Sequence, residues 1–406
     1  MNAELEPGII GNAGADEHLS SIKLKEPSTV NDMTVNYKLT SLAAAFAATT
    51  AIPAAAELKY ENNTGGYVLL YGQLHPALIS VDDGEDTETR VLDNDLSNSR
   101  VGLELLQPFG NNDFTFRLET GLGLPNSSEW NQLGTDFSGW TREDIRHVDF
   151  ALAGDWGKFS AGQGSMVADG AAEVDLSYVG TALYSFTNDE NGGFFYRGTD
   201  GFLSDITVGD SSSNFDGARR GRVRYDTPEF SGFTAGLAYG QNILSSSDDD
   251  DYYDVGLRYN NTFGGGVEFA AAIAYSVRSA DDGSGDRKDT IGSASVLLQS
   301  GLSFTVAAGT RDNDADGASD PNYFYGKIAY EDQWVSWGKT GIGIDYYSGS
   351  DFVNDGSSTD AWGIAVVQRI DSINTDAYLK YRNHDFEDGA SFDNNEAWVL
   401  GARWKF

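Results

Sequence analysis

The sequence of 406 residues contains no cysteine. A disulfide scaffold and a cysteine-ligated metal centre are therefore excluded. Basic residues are also scarce: 27 Lys and Arg stand against 62 Asp and Glu, for a net charge of −35. Phosphate backbones need clustered Lys and Arg, so nucleic acid is not an expected partner. Nothing after residue 57 approaches the about 20 consecutive apolar residues of a transmembrane helix. Aromatic side chains, by contrast, are abundant, with 20 Tyr, 22 Phe and 8 Trp. So many rings exclude a disordered acidic chain and suggest strands joined by acidic loops. Length alone allows two or three soluble domains or one large closed sheet.

The first 56 residues read as a targeting region. Residues 42–56 form a short apolar, Ala-rich run that ends in a small-x-small site, Ala54-Ala55-Ala56, and Lys38 supplies a positive flank. Residues 33–56 are therefore expected to be a secretory signal. Residues 1–32 are expected to be an extension ahead of the true start, and 57–406 the mature domain.

Beyond residue 57 the dominant period is two. Phe114, Phe116 and Leu118 alternate with Thr115, Arg117 and Glu119, and Leu302, Phe304 and Val306 alternate with Ser303, Thr305 and Ala307. One face is apolar; the other is polar, charged or Gly. A soluble sandwich would alternate in the same way, so the connections carry the decision. Strands are expected near 66–80, 98–107, 112–123, 143–153, 157–166, 218–226, 232–240 and 252–261, then 265–279, 288–299, 302–311, 322–331, 337–348, 360–370, 373–383 and 395–406. Short turns alternate with longer links at 81–97, 124–142, 167–217, 241–251, 280–287, 312–321, 349–359 and 384–394. The long links are rich in Asp, Gly, Ser and Asn. This describes an all-β, up-and-down antiparallel transmembrane barrel of 16 strands. An open edge in hydrocarbon leaves backbone groups unpaired at several kcal/mol each, so the sheet must close. At this strand number the interior stays wet. Rings near strand ends (Tyr67 and Tyr71, Tyr252 and Tyr253, Trp334 and Trp337, Tyr346 and Tyr347, Trp404 and Phe406) are expected to form membrane belts.

Several segments carry a family resemblance. Gly66-Tyr-Val-Leu-Leu-Tyr-Gly72 and Ser99-Arg-Val-Gly-Leu-Glu104 fit its first two strands. Arg222-Val-Arg-Tyr-Asp-Thr-Pro-Glu-Phe-Ser-Gly-Phe233 is the most specific stretch, and Gly401-Ala-Arg-Trp-Lys-Phe406 fits its last strand. Over nearly all of 57–406 the chain resembles the Gram-negative trimeric porins. The resemblance implies a homotrimer of barrels in the outer membrane, in contact with lipid and lipopolysaccharide. It implies that Phe406 is read by the outer-membrane assembly machinery. It also implies that the third long loop folds inward to make the constriction, with loop carboxylates facing wall arginines. On that reading Asp169, Glu173 and Asp175 are the acidic candidates. The basic candidates, placed inward by alternation, are Arg100, Arg117, Arg220, Arg222 and Arg224. An Arg at the lipid midplane costs about 2–4 kcal/mol, which favours the lumen for all five.

Asp312, Asp314 and Asp316 open like a calcium loop, but Tyr323 stands where an EF-hand needs Glu. A plain acidic turn is the simpler reading, with loop-bound Ca²⁺ or Mg²⁺ as the alternative; no other cofactor is implied. No Ser–His–acid motif is marked, and no enzymatic reaction is expected. The expected function is passive diffusion of ions and small hydrophilic solutes, with a preference for cations from the acidic excess. A substrate-specific channel, an outer-membrane barrel enzyme and a soluble secreted β-protein are the alternatives.

Overall fold

The computed structural model describes residues 58–134, 137, 139–283 and 285–406. The expected signal segment and the extension before it lie outside these residues. Among the described residues helix is confined to three-residue 3₁₀ turns such as Asp95–Ser97, and none is long enough to cross a membrane.

One antiparallel sheet closes on itself as a 16-strand barrel. Leu302–Asn313 pairs with Asn322–Val335 in continuous register, Phe304 opposite Ile328 and Thr305 opposite Lys327. The seam joins the last strand, Asn395–Lys405, to the first. Phe406 and Gly72 exchange backbone hydrogen bonds of 2.9 and 3.0 Å across it. Below the chain terminus the short strand Leu58–Glu61 continues the seam against Tyr67–Leu70. Closure pairs the barrel strands on both sides, including the first and last, as hydrocarbon requires.

Alternation sorts the two faces as expected. Phe304, Val306, Ile328, Ile344, Val366 and Leu400 lie exposed on the outer face. An apolar surface this extensive is stable only under lipid. Turns on one side are tight. Gly301 takes φ +87° beside the Glu331 carbonyl, where a Cβ would sit 2.0 Å from oxygen. On the inner face, absent side chains make notches for rings from the next strand: a Cβ on Gly401 would lie 2.2 Å from the Tyr378 hydroxyl.

Three features differ from expectation. The 81–97 link is mostly a strand: Thr87–Asp93 pairs with Pro76–Asp82 through a four-residue turn. The second barrel strand, Arg100–Phe109, follows it after the Asp95–Ser97 turn. Tyr67, Tyr71, Tyr252 and Tyr347 do not join the membrane belt. The Tyr67 and Tyr71 hydroxyls donate to Glu104 and Glu119, and Tyr252 and Tyr347 are buried inside. Tyr253, Trp334, Trp337 and Tyr346 are exposed outside, as a belt requires. Finally, part of the inner face is apolar. Ile79, Val81, Val367 and Val399 pack against Val179, Leu183, Phe194 and Tyr196 of the long loop. Each such fully buried aliphatic contributes about 1.5–3 kcal/mol, which holds the loop inside the barrel.

Candidate functional site: the lumen and its constriction

The segment between strands Gly157–Ser165 and Arg219–Asp226 is the third long loop, and it lies in the lumen. Its root is cinched by Asp216, whose carboxylate accepts from the Gly170 and Ala172 amides at 2.6 and 2.8 Å. Asp254 on the wall accepts from the Ala168 amide at 2.8 Å. The loop then crosses the strands: the Val174 and Leu176 amides donate to the Ser293 and Ser295 hydroxyls. Lys327 holds Asp175 at 2.5 Å, and the Tyr178 hydroxyl donates to Asp376 at 2.8 Å. Deeper, Lys380 meets Glu190 at 2.7 Å with both side chains buried. A small hairpin, Phe195–Arg197 with Leu203–Thr207, brings Arg197 to Asp83 at 2.8 Å.

Beside the loop remains a polar cavity of about 510 Å³. Glu173, Asp175 and Tyr178 line it from the loop, and Arg369, Asp376, Arg403 and Lys405 from the wall. A neighbouring cavity of about 290 Å³ is lined by Arg146, Arg219 and Arg220, with Glu143 and Asp144. Glu119 joins the wall cations, at 2.6 Å from Arg146 and 3.7 Å from Arg100. Arg219 approaches Asp169 at 3.8 Å. Carboxylates on the loop therefore face guanidinium groups on the wall across open space, which sets up a transverse field.

Of the acidic candidates, Glu173 and Asp175 border the larger cavity, and Asp169 sits at the loop root. Two further carboxylates of the loop, Asp189 and Glu190, are buried against the wall instead. Among the basic candidates, Arg100 and Arg220 belong to the constriction side. The other three are placed differently. Arg222 is held by Asp149 at 2.6 Å and by the Ser165 and Gly162 carbonyls. Arg224 is held by Asp226 and donates to the Met166 carbonyl at 2.7 Å, bracing the loop root. Arg117 lies toward the short turns, 3.6 Å from Glu104. Asp312, Asp314 and Asp316 are not brought together as a ligand set. Asp314 is taken by Lys288 at 2.7 Å, and among the described residues no group of three acidic or His side chains is arranged to hold a metal ion.

Arg146, Arg369, Arg403 and Lys405 are the residues that sequence reasoning missed. Arg146 reaches inward through a register shift between Glu119 and Thr120, which strict alternation would not place there. Arg403 and Lys405 do lie on the inner face by alternation, but only the folded loop shows that they face carboxylates.

The sequence profile of the Gram-negative porin family matches residues 42–389. The chain belongs to the Gram-negative porins. A sequence search of curated proteins finds no match. The porin's structure resembles an anion-selective porin from Comamonas acidovorans, with TM-score 0.57 and 17% identity over 84% of this chain and 100% of that one. It also resembles in-vitro folded OmpT of Vibrio cholerae in its trimer form, with TM-score 0.53 and 15% identity over 84% and 99%. OmpF of Salmonella typhi, solved in complex with daunomycin, gives TM-score 0.53 and 13% identity over 86% and 100%. This porin is an outer-membrane channel for diffusion.

Within the porin's loop, burial raises the pKa of Glu173, and the nearby Asp169 charge adds to it. Burial and the Glu173 charge push Asp216 well above the usual carboxylate range. An acid whose pKa is raised on folding stabilises the fold below its ordinary pKa, and that contribution is lost as pH rises through the raised value. The loop root is therefore expected to be tightest in acid and to loosen on alkalinisation as Glu173 and Asp216 ionise in turn. Single-channel recordings across pH should show open-channel noise growing toward alkaline pH, and Glu173→Gln should flatten that rise. Noise that is independent of pH in the wild type contradicts the expectation.

Proposed function

We propose that this porin passes ions and small hydrophilic solutes passively, catalyses no reaction, works as a homotrimer and prefers cations. The observation that carries the reading is the incomplete filling of the lumen: the loop narrows it but leaves a hydrated cavity lined by both charge signs. The trimer draws support from the fold shared with Vibrio cholerae OmpT, which has a trimer form. Cation preference draws support from the long-loop side. There a cavity of about 300 Å³ is lined by Asp93, Glu129, Glu143 and Asp144, with no basic side chain among its described lining residues. Charge acts within about 8 Å at physiological salt, so this mouth charge weighs on an ion as it enters. At the constriction the two signs are nearly balanced and oppose the mouth little.

Planar-bilayer recording tests both parts. Purified protein should insert as conducting units that close in three steps. In a KCl gradient the reversal potential should carry the sign of K⁺ selectivity. A Cl⁻-selective value rejects the cation preference, and absence of conductance rejects the channel.

A further inference from the structure

Below the constriction, toward the short turns, a separate cavity of about 300 Å³ opens on the inner face. Its floor is a row across three strands: Thr115 pairs with Ala151, and Ala151 with Ser160. Strand spacing puts the Thr115 and Ser160 backbones about 10 Å apart, with only the Ala151 methyl between them. Arg117 stands one inward position, about 7 Å, toward the long loops, and Lys158 one such step toward the short turns. The carboxylates around the shelf are already engaged. Asp149 is held by Arg222 at 2.6 Å, Asp226 by Arg224 at 2.7 Å, and Glu104 by the Tyr67 hydroxyl at 2.6 Å. Lys158 has no ion-pair partner among the described residues and is the surplus charge. The Ser160 hydroxyl also points to a ligand. Ser160 is 1% exposed and its oxygen has no hydrogen-bond partner. A buried hydroxyl without a partner costs about 1–3 kcal/mol unless something fills it.

We propose that this shelf binds a multivalent oxyanion of the phosphate class, a site distinct from the constriction. The proposal rests on the channel reading above. The lining carries four cationic side chains, Arg117, Lys158, Arg222 and Arg224, against two carboxylates, Glu104 and Asp149, and with two hydroxyls able to donate it favours an anion over a cation. Donors spread over about 10 Å exceed the reach of a monatomic chloride, whereas a tetrahedral oxyanion or its ester spans the Ala151 gap. Anions that pass the constriction would be retained here before release.

The test uses the purified porin in planar bilayers carrying a KCl current, with inorganic phosphate added on both sides. Phosphate is expected to reduce the wild-type current saturably, while a neutral sugar of similar size does not. Lys158→Gln should raise the half-blocking concentration about tenfold, and Ser160→Ala should raise it by a smaller factor. Both variants should keep the wild-type KCl conductance, which shows that they are folded. Lys288→Gln, at an outer-loop pair, should leave the block unchanged. An unaltered block in both shelf variants overturns the site and moves phosphate to the constriction. A wild-type current indifferent to phosphate overturns it as well. Protein that carries no KCl current at all would instead strike at the channel reading.

Discussion

Lys380→Met should loosen the turn of the long loop around Glu190 and raise single-channel conductance. Lys380 and Glu190 form an ion pair of 2.7 Å with side chains 1% and 0% exposed. Such a pair contributes little net stability, because desolvation nearly cancels its attraction, but removing one partner strands the other in a dry site at about 3–5 kcal/mol. Arg382, whose charge also reaches Glu190, is committed to Asp345 at 2.6 Å. The neighbour of Glu190 in the chain, Asp189, is itself buried, and burial pushes that carboxyl well above its ordinary pKa. Hydrogen bonds from Asn191 to Asn395 and from Trp130 to the Glu190 carbonyl hold the same turn, so they must yield with it. The strands do not depend on this contact, since their ladder closes without the loop. The variant should therefore remain heat-modifiable in gels, with only its lumen changed. Glu190→Gln combined with Lys380→Met removes both charges and should recover most of the wild-type conductance. If Lys380→Met conducts like the wild type, the loop is not held by this pair.

The barrel was legible in the sequence because lipid imposes a rule on every spanning strand. Expected bounds of 302–311 and 360–370 lie within two residues of Leu302–Asn313 and Ser358–Ile370. Above the membrane the rule lapses. Thr87–Asp93 was hidden for that reason: its Thr-Glu-Thr-Arg start carries polar groups on both faces, and Thr89 simply meets Ser80 at 2.9 Å. Facing of the Tyr residues was hidden by a subtler cause. Tyr71 turns inward because Gly102 on the next strand leaves room for its ring, a pairing visible only once register is known. At the constriction, the carboxylates were legible from the loop's length and position. Of the cations opposite, Arg100 and Arg220 were marked by alternation but Arg369, Arg403 and Lys405 were not, because which wall the loop approaches depends on the inner apolar patch of Ile79, Val81, Val367 and Val399. Alternation had no reason to mark that patch as different from the lipid face.

Two adjacent residues offer the sharpest test of inside against outside. Lys327 and Ile328 follow one another in the strand Asn322–Val335. Lys327 points inward, fully buried, where Asp175 at 2.5 Å and the Leu183 carbonyl at 2.8 Å satisfy its ammonium. Ile328 points outward, 50% exposed, between Phe304 and Ile344 on neighbouring strands. The sequence thus already tolerates a cation at one position and should reject it at the next. Ile328→Arg is expected to cost about 2–4 kcal/mol in a bilayer, the penalty of a guanidinium near the hydrocarbon midplane. Ser300→Arg, in an exposed short turn, is expected to cost about 0–1 kcal/mol, because the side chain reaches water. Urea unfolding in lipid vesicles, followed by loss of heat-modifiable migration, measures both. Equal midpoints for the two variants would mean that the outer face around Ile328 is not immersed in lipid. In detergent the gap should narrow, since a micelle deforms around a charge more readily than a bilayer does, and the narrowing itself separates lipid exposure from a packing defect in the strand.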